Sequence, residues 1–171
     1  MEIRTLMEAD AAAYYTLRLR ALTEEPEAFG SSADEYAGTP LADVAERLRP
    51  ADDAFFLGAW APTLVGCARF MREEGRKDRH KGDLFGMYVA PEARGQGIGR
   101  ALVREILARA ATLHGLEQIH LDVVTTNTAA RSLYRSCGFQ SYGIEPHSLK
   151  LPDGRYLDAE LMVRWLHDPL V

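Results

Sequence analysis

The sequence predicts a mixed α/β fold, in which a central sheet carries helices on both of its faces. Three observations predict it: strands come first as a hairpin, then alternate with helices, and return as strands at the end of the chain. The 171 residues are 47% hydrophobic and 26% charged, which is typical of a globular protein with one core. Because no repeat or Pro/Gly/Ser-rich linker divides the sequence, we expect residues 1–171 to form a single domain.

The first third of the chain is predicted to contain one strand and two helices. Residues 3–6 indicate a short strand, and Asp10 is placed to cap a helix that ends before Pro26. The stretch 25–40 is predicted to be a loop. A second short helix follows, because apolar residues recur at helical spacing before Pro50. These residues are Leu41, Val44, Ala45 and Leu48.

An antiparallel hairpin is predicted next. Residues 54–60 and 64–71 are apolar and aromatic, and Ala61-Pro62-Thr63 separates them. The charge-dense stretch 72–81 mixes basic and acidic side chains, which favours a solvated hairpin loop. Residues 84–89 are predicted to form the strand that follows this loop.

The second half of the chain alternates helices and strands. A helix starts at Ile98, because the apolar residues that follow it lie three or four positions apart. Residues 119–124 are predicted to form a strand, and residues 128–137 a helix that Asn127 caps. Strands are then predicted from Phe139 onward and over 156–165, which gives a sheet of about six or seven strands.

Charge and composition exclude several classes of function. The formal net charge is −5 and the pI is near 5.5, which argues against non-specific binding to nucleic acid or to an anionic membrane. The sequence shows no secretory signal and no run of about 18 apolar residues, so we expect a cytoplasmic protein. No metal site is expected, because the two cysteines and the histidines lack metal-ligand spacing. These residues are Cys67, Cys137, His80, His114, His147 and His167, and the four histidines are interpreted as surface or core residues.

A glycine-rich turn carries the most chemical information. It follows the strand 84–89 and contains glycine at every second position, at Gly95, Gly97 and Gly99. Glycines have no Cβ, so the backbone N–H groups can approach an anion closely, and the helix that begins there adds its unpaired amides and dipole. Arg94 and Arg100 flank the turn with positive charge. The turn therefore predicts a phosphate or pyrophosphate site.

Two better-known nucleotide loops do not fit this turn. A P-loop requires Lys followed by Ser or Thr after its last glycine, and neither is present. A dinucleotide-binding fingerprint would require glycine at position 100, where Arg100 lies. A dinucleotide-dependent oxidoreductase is therefore a disfavoured alternative.

Two segments resemble the GNAT superfamily of N-acetyltransferases. Segment 89–99 resembles its acetyl-coenzyme A signature, of the form Arg/Gln-x-x-Gly-x-Gly/Ala. Segment 127–139 is similar to the family pattern N-x-x-A-x-x-L-Y-x-x-x-G-F, and residues 27–32 also look like those of bacterial members. The signature positions are Arg94, Gly97 and Gly99. The resemblance implies a GNAT-like fold, with a mostly antiparallel twisted sheet.

The resemblance also implies the positions that bind the cofactor. The pyrophosphate of coenzyme A would lie on the glycine-rich turn, and its pantetheine arm would pair with the preceding strand like an added strand. A backbone N–H near Val89 would stabilise the oxyanion that forms during acetyl transfer. The implied cofactor residues are Met87, Tyr88, Val89, Arg94, Gly95, Gln96, Gly97, Ile98, Gly99, Arg100, Asn127 and Tyr134.

The catalytic groups are less completely specified. Asn127 and Tyr134 lie two helical turns apart and so share one side of their helix. The resemblance makes Tyr134 the general acid for the leaving thiolate, although a capping role for Asn127 and a packing role for Tyr134 are the structural alternatives. The general base stays open among a water molecule and three side chains: Asp83, His120 and Asp122. A covalent acetyl-Cys137 is disfavoured, because a helix C-terminus raises the pKa of a thiol.

The expected function is therefore the transfer of an acetyl group from acetyl-coenzyme A to a primary amine, by direct attack in a ternary complex. A non-catalytic acyl-coenzyme A sensor is the alternative. Segments 25–40 and 143–156 are expected to form the acceptor pocket. The sequence is compatible with four classes of acceptor: a polyamine, an amino-acid-like amine, an aminoglycoside and a protein amine. Acidic residues there either attract a cationic amine or form a polar surface; they include Glu25, Glu27, Asp34, Glu35 and Glu145. Either a monomer or a homodimer is compatible with the sequence.

Overall fold

The computed structural model describes residues 1–166, and one seven-stranded sheet runs through them. The strand order is β1-β2-β3-β4-β5-β7-β6, and every neighbouring pair is antiparallel except β4 and β5. The predicted mixed and mostly antiparallel sheet is thus confirmed. Its strands are β1 Glu2–Thr5, β2 Ala54–Trp60, β3 Leu64–Arg72, β4 Lys81–Val89, β5 Gln118–Val124, β6 Gln140–Lys150 and β7 Tyr156–Trp165.

Five α-helices accompany the sheet in this part of the chain: α1 Ala11–Glu24, α2 Ala33–Ala37, α3 Leu41–Arg47, α4 Ile98–Ala110 and α5 Thr128–Ser136. Short 3₁₀ turns cover Glu8–Asp10, Pro26–Ala28 and Pro91–Ala93. None of the helices within residues 1–166 combines the length and apolarity needed to span a bilayer. These residues also contain no group of three or more His, Cys, Asp or Glu side chains arranged to hold a metal ion.

The helices pack on both faces of the sheet, as predicted. Successive side chains of a strand point to opposite faces, and two neighbouring residues of β2 mark them. Phe55 lies beneath the guanidinium of Arg109 on α4, 5.6 Å from its ring centre. Phe56 packs edge-on against Tyr14 of α1, with 5.3 Å between ring centroids. The core therefore has two layers, with α1 on one face of the sheet and α4 on the other.

Most predicted elements lie where the sequence placed them, including the hairpin of β2 and β3 and the solvated connection from β3 to β4. The prediction of an unbroken loop over 25–40 is wrong, because α2 forms within it. Ser32 and Glu35 build a reciprocal capping box, in which each side chain accepts a hydrogen bond from the other residue's backbone N–H, at 3.2 and 3.3 Å. The Ser-x-x-Glu pattern is the sequence signal for this helix start.

The prediction that Asp10 is the N-cap residue of the first helix is confirmed. Asp10 does precede α1, but its side chain makes no capping hydrogen bond to that helix. Its carboxylate instead accepts from the backbone N–H of Met7 at 2.8 Å and from the guanidinium of Arg4 at 2.7 and 2.8 Å. His167, one of the histidines interpreted from the sequence, lies outside the described residues.

Candidate active site

The site begins where the parallel strands β4 and β5 separate. Their pairing runs only from Lys81 and Gln118 to Asp83 and His120. Beyond this point β4 contains a bulge. Tyr88 pairs with Cys67 of β3 and Phe85 pairs with Arg69, so β4 uses three residues where β3 uses two. Gly86 lies in the bulge with φ +63°, a left-handed conformation that glycine adopts without strain. A bulge bends its strand, so the rest of β4 turns away from β5 and opens a groove.

The groove has a volume of about 710 Å³. The end of β4, the glycine-rich turn, the start of α5 and the 3₁₀ turn after α1 form its walls. Predicted cofactor residues that line it are Met87, Tyr88, Val89, Arg94, Gly95, Gly97, Ile98, Gly99, Arg100 and Asn127. Residues that were not predicted to bind the cofactor also line it, among them Phe29, Val124, Thr126, Ala130 and Leu133. The structure therefore brings most of the predicted set to one concave surface.

The glycine-rich turn is an open cradle at the start of α4. Gly95 and Gly97 have φ of +76° and +79°, and a Cβ on either residue would meet no atom within 4 Å. Gly97 is the N-cap of α4 and offers no side-chain cap, so the first amides of the helix are free to bind an anion. Gly99 serves a different purpose, since a Cβ there would lie 3.1 Å from Leu133 of α5. It permits the close approach of two helices.

Arg94 braces the turn against its surroundings. Its Nε donates to the carbonyl oxygen of Val89 at 2.9 Å, and its Nη2 pairs with Glu25 at 2.9 Å. The side-chain amide of Gln96 donates to the carbonyl oxygen of Glu92 at 3.4 Å, and Gln96 is not among the residues that line the groove. Arg94 therefore fixes the loop to both β4 and the end of α1, whereas Gln96 is the turn residue that the groove does not include.

Tyr88 contributes to the groove through its backbone. Its side chain is 4% exposed, and its hydroxyl donates to Glu24 of α1 at 2.6 Å. Arg20 then joins Glu24 to Glu92 through ion pairs of 2.7 Å each. Burial and the hydrogen bond to Glu24 raise the pKa of Tyr88, which keeps it protonated. This network ties α1 to β4 and to the turn beside the cradle.

Asn127 and Tyr134 occupy different depths along α5. The Oδ1 of Asn127 accepts from the N–H of Ala130 at 3.0 Å, so Asn127 caps the helix and lines the groove as well. Tyr134 lies two turns further along, about 10 Å. It is 6% exposed, packs edge-on against Phe139 and is not among the residues that line the groove. Burial, helped by the nearby charge of Asp122, raises the pKa of Tyr134 well above 10, so its hydroxyl is a proton donor at neutral pH.

The three candidate bases gather where the two strands part. Asp83 faces His120 in the last parallel pair, and Asp122 lies two residues further on the same face of β5. Burial, together with the carboxylates of Glu73 and Asp122, raises the pKa of Asp83 to about 6. Asp83 is therefore mostly ionised at pH 7 and close to the pH at which a carboxylate is an effective base.

His120 is also suited to accept a proton. Burial, with the positive charge of Lys81, lowers the pKa of His120, so the ring is neutral at pH 7. Its Nδ1 lies 3.3 Å from the hydroxyl of Tyr142, and its Nε2 is buried with no hydrogen-bond partner in the described part of the chain. Cys137, by contrast, ends α5 and packs partly buried against the core, which agrees with a packing role.

The segments expected to form the acceptor pocket do meet. Arg155, in the turn between β6 and β7, pairs with Glu27 at 2.7 Å, and Gly30 lies beside Leu149 of β6. The expected acidic residues are mostly engaged within the protein, because Glu25 pairs with Arg94 and Glu35 belongs to the capping box. Of the five expected acidic residues, Glu25 and Glu27 are thus paired with arginines, whereas the other three form no ion pair within residues 1–166.

Comparison with family models matches residues 13–139 to the acetyltransferase (GNAT) family. The chain belongs to the GNAT acetyltransferase family. The resemblance carried by segments 89–99 and 127–139 is thereby confirmed, and the fold agrees with it. The structure of yncA from Salmonella typhimurium, solved with its cofactor acetyl-CoA, superimposes with a TM-score of 0.79 at 24% identity. That superposition covers 98% of this chain and 95% of the other.

Two curated relatives have been assigned acetyl transfer to different acceptors. The chain is 34% identical over 141 residues to a mycothiol acetyltransferase from Thermobispora bispora, covering 80% of this chain and 45% of that protein. It is 38% identical over 109 residues to the N-alpha-acetyltransferase RimI from Mycobacterium tuberculosis, covering 63% of each. The chain therefore spans about half the length of the first relative, and the two names leave the acceptor of this GNAT protein undetermined.

Proposed function

We propose that this GNAT protein transfers the acetyl group of acetyl-coenzyme A to a primary amine by direct attack in a ternary complex. The observation that carries the proposal is the groove between the diverging strands β4 and β5, which ends on an open glycine cradle at the start of a 13-residue helix. When bound, acetyl-coenzyme A supplies an acetyl group activated as a thioester. The residues of the chain supply binding, orientation and proton transfer.

The cradle fits a pyrophosphate. The space in which a Cβ of Gly95 or Gly97 would lie is open, and the free amides at the start of α4 point their partial positive charge toward it. Arg100 lines the same groove and adds a full positive charge. The side chain of Gln96 donates to the carbonyl oxygen of Glu92, so Gln96 would contact the pyrophosphate only through its backbone N–H.

Strand β4 fits an extended ligand arm. Beyond Asp83 no strand of the described part of the chain pairs with it on the β5 side, so the N–H and C=O groups of residues 87–89 can hydrogen-bond to a polar chain laid beside them. One of these N–H groups, near Val89, would stabilise the oxyanion as charge develops on the acetyl carbonyl oxygen. Holding both reactants in one groove makes the reaction effectively unimolecular.

The groups that we propose for proton transfer are not among the residues that line the groove. Asp83 and His120, paired where the strands separate, are the groups we propose to accept the proton of the attacking amine, directly or through water. Tyr134 holds its proton at neutral pH and would give it to the leaving thiolate. The buried position of Tyr134 favours one second candidate, a sensor that binds acyl-coenzyme A without transfer, because its hydroxyl then has only a packing role.

Thermal unfolding with acetyl-coenzyme A, coenzyme A, NADH and ATP, each at about 1 mM, tests the binding part of the proposal. A ligand present at about 100 times its Kd adds roughly 2.7 kcal/mol, and we expect this only from the two coenzyme A species. A thiol-release assay with a panel of amines then separates enzyme from sensor. Absence of stabilisation by either coenzyme A species refutes the proposed function, and binding without thiol release favours the sensor.

A further inference from the structure

A second cavity, of about 200 Å³, lies on the α1 face of the sheet. We call it the arginine cavity, because three arginines line it together with two tyrosines: Arg18, Arg47, Arg69, Tyr14 and Tyr36. No carboxylate lines it within residues 1–166. None of the ion pairs found in the same residues includes any of the three arginines. The cavity therefore concentrates positive charge that the protein itself leaves uncompensated.

Several donor atoms of the arginine cavity are buried without a partner. Nη1 of Arg18, Nε of Arg69 and the hydroxyl of Tyr36 are all inaccessible, and none of them has a hydrogen-bond partner within residues 1–166. Buried polar groups are nearly always satisfied in native structures, so three unpartnered donors in one cavity point to a missing acceptor. A negatively charged oxygen group satisfies such donors best.

Aromatic rings hold these guanidinium groups in place and leave their N–H donors free. Arg69 stacks over Phe56 and Phe85, with 4.8 Å to each ring centre, and Arg18 stacks over Phe29 at 4.4 Å. Stacking orients a planar guanidinium through its face, whereas hydrogen bonds use its edge. The arrangement thus pre-organises the donors for a planar or tetrahedral anion.

Titration of the surrounding groups agrees with an anion site. Burial, followed by the charge of Arg47, lowers the pKa of Arg69. Burial raises the pKa of Tyr14, of Tyr36 and of the adjacent Cys67 thiol, so these groups are neutral at pH 7. The charged groups that face the cavity are therefore the guanidinium groups, and an anion would relieve their repulsion.

The arginine cavity adjoins the proposed reaction centre. Gly86 of the β4 bulge lines the cavity, and the next residue, Met87, lines the cofactor groove. Phe85, which also lines the cavity, lies two residues from Asp83 on the same face of β4, a distance of about 7 Å along the strand. A molecule with an anionic group in the cavity therefore needs a length of only a few atoms to place an amine beside Asp83.

We propose that the arginine cavity binds an anionic group of the acceptor, and that the acceptor is a small amino-acid-like amine carrying a carboxylate or a phosphorus oxyanion. This inference rests on the proposed function and narrows its acceptor. Polyamines and aminoglycosides are disfavoured, because they would bring further positive charge to three uncompensated guanidinium groups. The small volume of the cavity disfavours an entire peptide chain.

Paired acceptors test the inference. We would measure thiol release with L-amino acids, with the amide and the decarboxylated amine of each, and with spermidine and kanamycin. For the best amino acid we expect kcat/KM at least 100-fold above that of its amide, because a site built to bond a charged group discriminates strongly against an analogue that lacks it. Equal use of acid and amide, or a preference for spermidine or kanamycin, overturns the inference and leaves acetyl transfer intact.

Substitutions in the arginine cavity test whether this cavity is the site that binds the anionic group. Arg69→Gln and Tyr36→Phe should each raise KM for the amino acid at least 10-fold, and Tyr36→Phe removes only the unpartnered hydroxyl while the stacked ring remains, 5.3 Å from Tyr15. Arg104→Gln, an exposed arginine on the outer side of α4, is the matched control and should leave KM unchanged. Unchanged KM in both cavity variants places the anion elsewhere.

If no amine is acetylated, a binding measurement tests whether the arginine cavity binds an anion. Thermal unfolding would be recorded with each amino acid and with inorganic phosphate, without acetyl-coenzyme A, for the wild type and for Arg69→Gln. Stabilisation that the variant loses supports the anion site while refuting transfer to an acceptor held there. If no anion stabilises the wild type, the arginine cavity is not an anion site, whatever the result of the acetyl-coenzyme A experiment.

Discussion

Replacing Glu160 with Gln tests how α5 is held beside the cofactor groove. Glu160 of β7 is 2% exposed and accepts from Nε of Arg131 at 2.5 Å and from Nη2 of Arg135 at 2.6 Å. Burial alone would raise the pKa of its carboxyl, but the hydrogen bonds from the two arginines outweigh it and the pKa is lowered. Removing one partner from a buried ion pair costs roughly 3–5 kcal/mol. Because the arginine side chains are 24% and 52% exposed and can be rehydrated, we expect about 3 kcal/mol.

Thermal and urea unfolding measure this loss. At about 2–4 °C per kcal/mol for a protein of this size, Glu160→Gln should lower Tm by roughly 6–12 °C at pH 7. Glu8→Gln is the matched control, since Glu8 pairs with Arg49 at 2.6 Å but the two side chains are 50% and 66% exposed, and its loss should stay below about 1 kcal/mol.

The loss of stability caused by Glu160→Gln should depend on pH in one direction. A lowered pKa in the folded state contributes stability that is present above the unfolded pKa near 4.5 and disappears as pH falls through the folded pKa. The difference between wild type and Glu160→Gln should therefore shrink below about pH 4.5. Equal losses in Glu160→Gln and Glu8→Gln at pH 7 would refute the argument from burial.

Three further predictions concern the reaction. Tyr134→Phe should lower kcat about 100-fold or more with little change in the Kd of acetyl-coenzyme A, and a loss confined to Kd would make Tyr134 a binding residue only. Gly97→Val places a branched side chain at φ +79°, so calorimetry should find acetyl-coenzyme A binding abolished and unfolding easier by about 1–2 kcal/mol; retained affinity contradicts the cradle. With wild type, kcat/KM should rise as pH increases through about 6, where Asp83 ionises, and Asp83→Asn should lose this limb; an unchanged profile would move the base elsewhere.

Local pattern was sufficient to predict the elements that bury a regular face. Apolar residues three and four positions apart predicted α4, and Leu102, Ile106 and Ala110 are indeed fully buried. Helix α2 was not predicted, because five residues are too few to show the spacing of apolar residues that marks a helix. Its only signal was the Ser-x-x-Glu box, which local hydrophobicity does not detect. Short helices are thus specified by their caps more than by their faces.

The cofactor groove could be predicted in part. The glycines of the cradle lie at every second position of one short segment, so their common purpose could be interpreted from spacing. The divergence of β4 from β5 depends on the register between β3 and β4. Its only local signal in the sequence is Gly86, an isolated glycine within a strand. The register itself is a property of the assembled sheet, which is why the sequence did not predict the bulge.

The arginine cavity had no local signal, because its three arginines come from α1, α3 and β3 and only the fold brings them together. A net charge of −5 would suggest that this protein prefers cationic acceptors. The net charge counts all charged residues equally. The charge of a binding site is set by the charged residues that have no oppositely charged partner in the folded protein. The two acidic residues that line the groove are compensated by arginines, Glu25 by Arg94 and Glu27 by Arg155. Arg18 and Arg69 have no such partner among the described residues, so the acceptor site that we propose is positive although the protein carries a net negative charge.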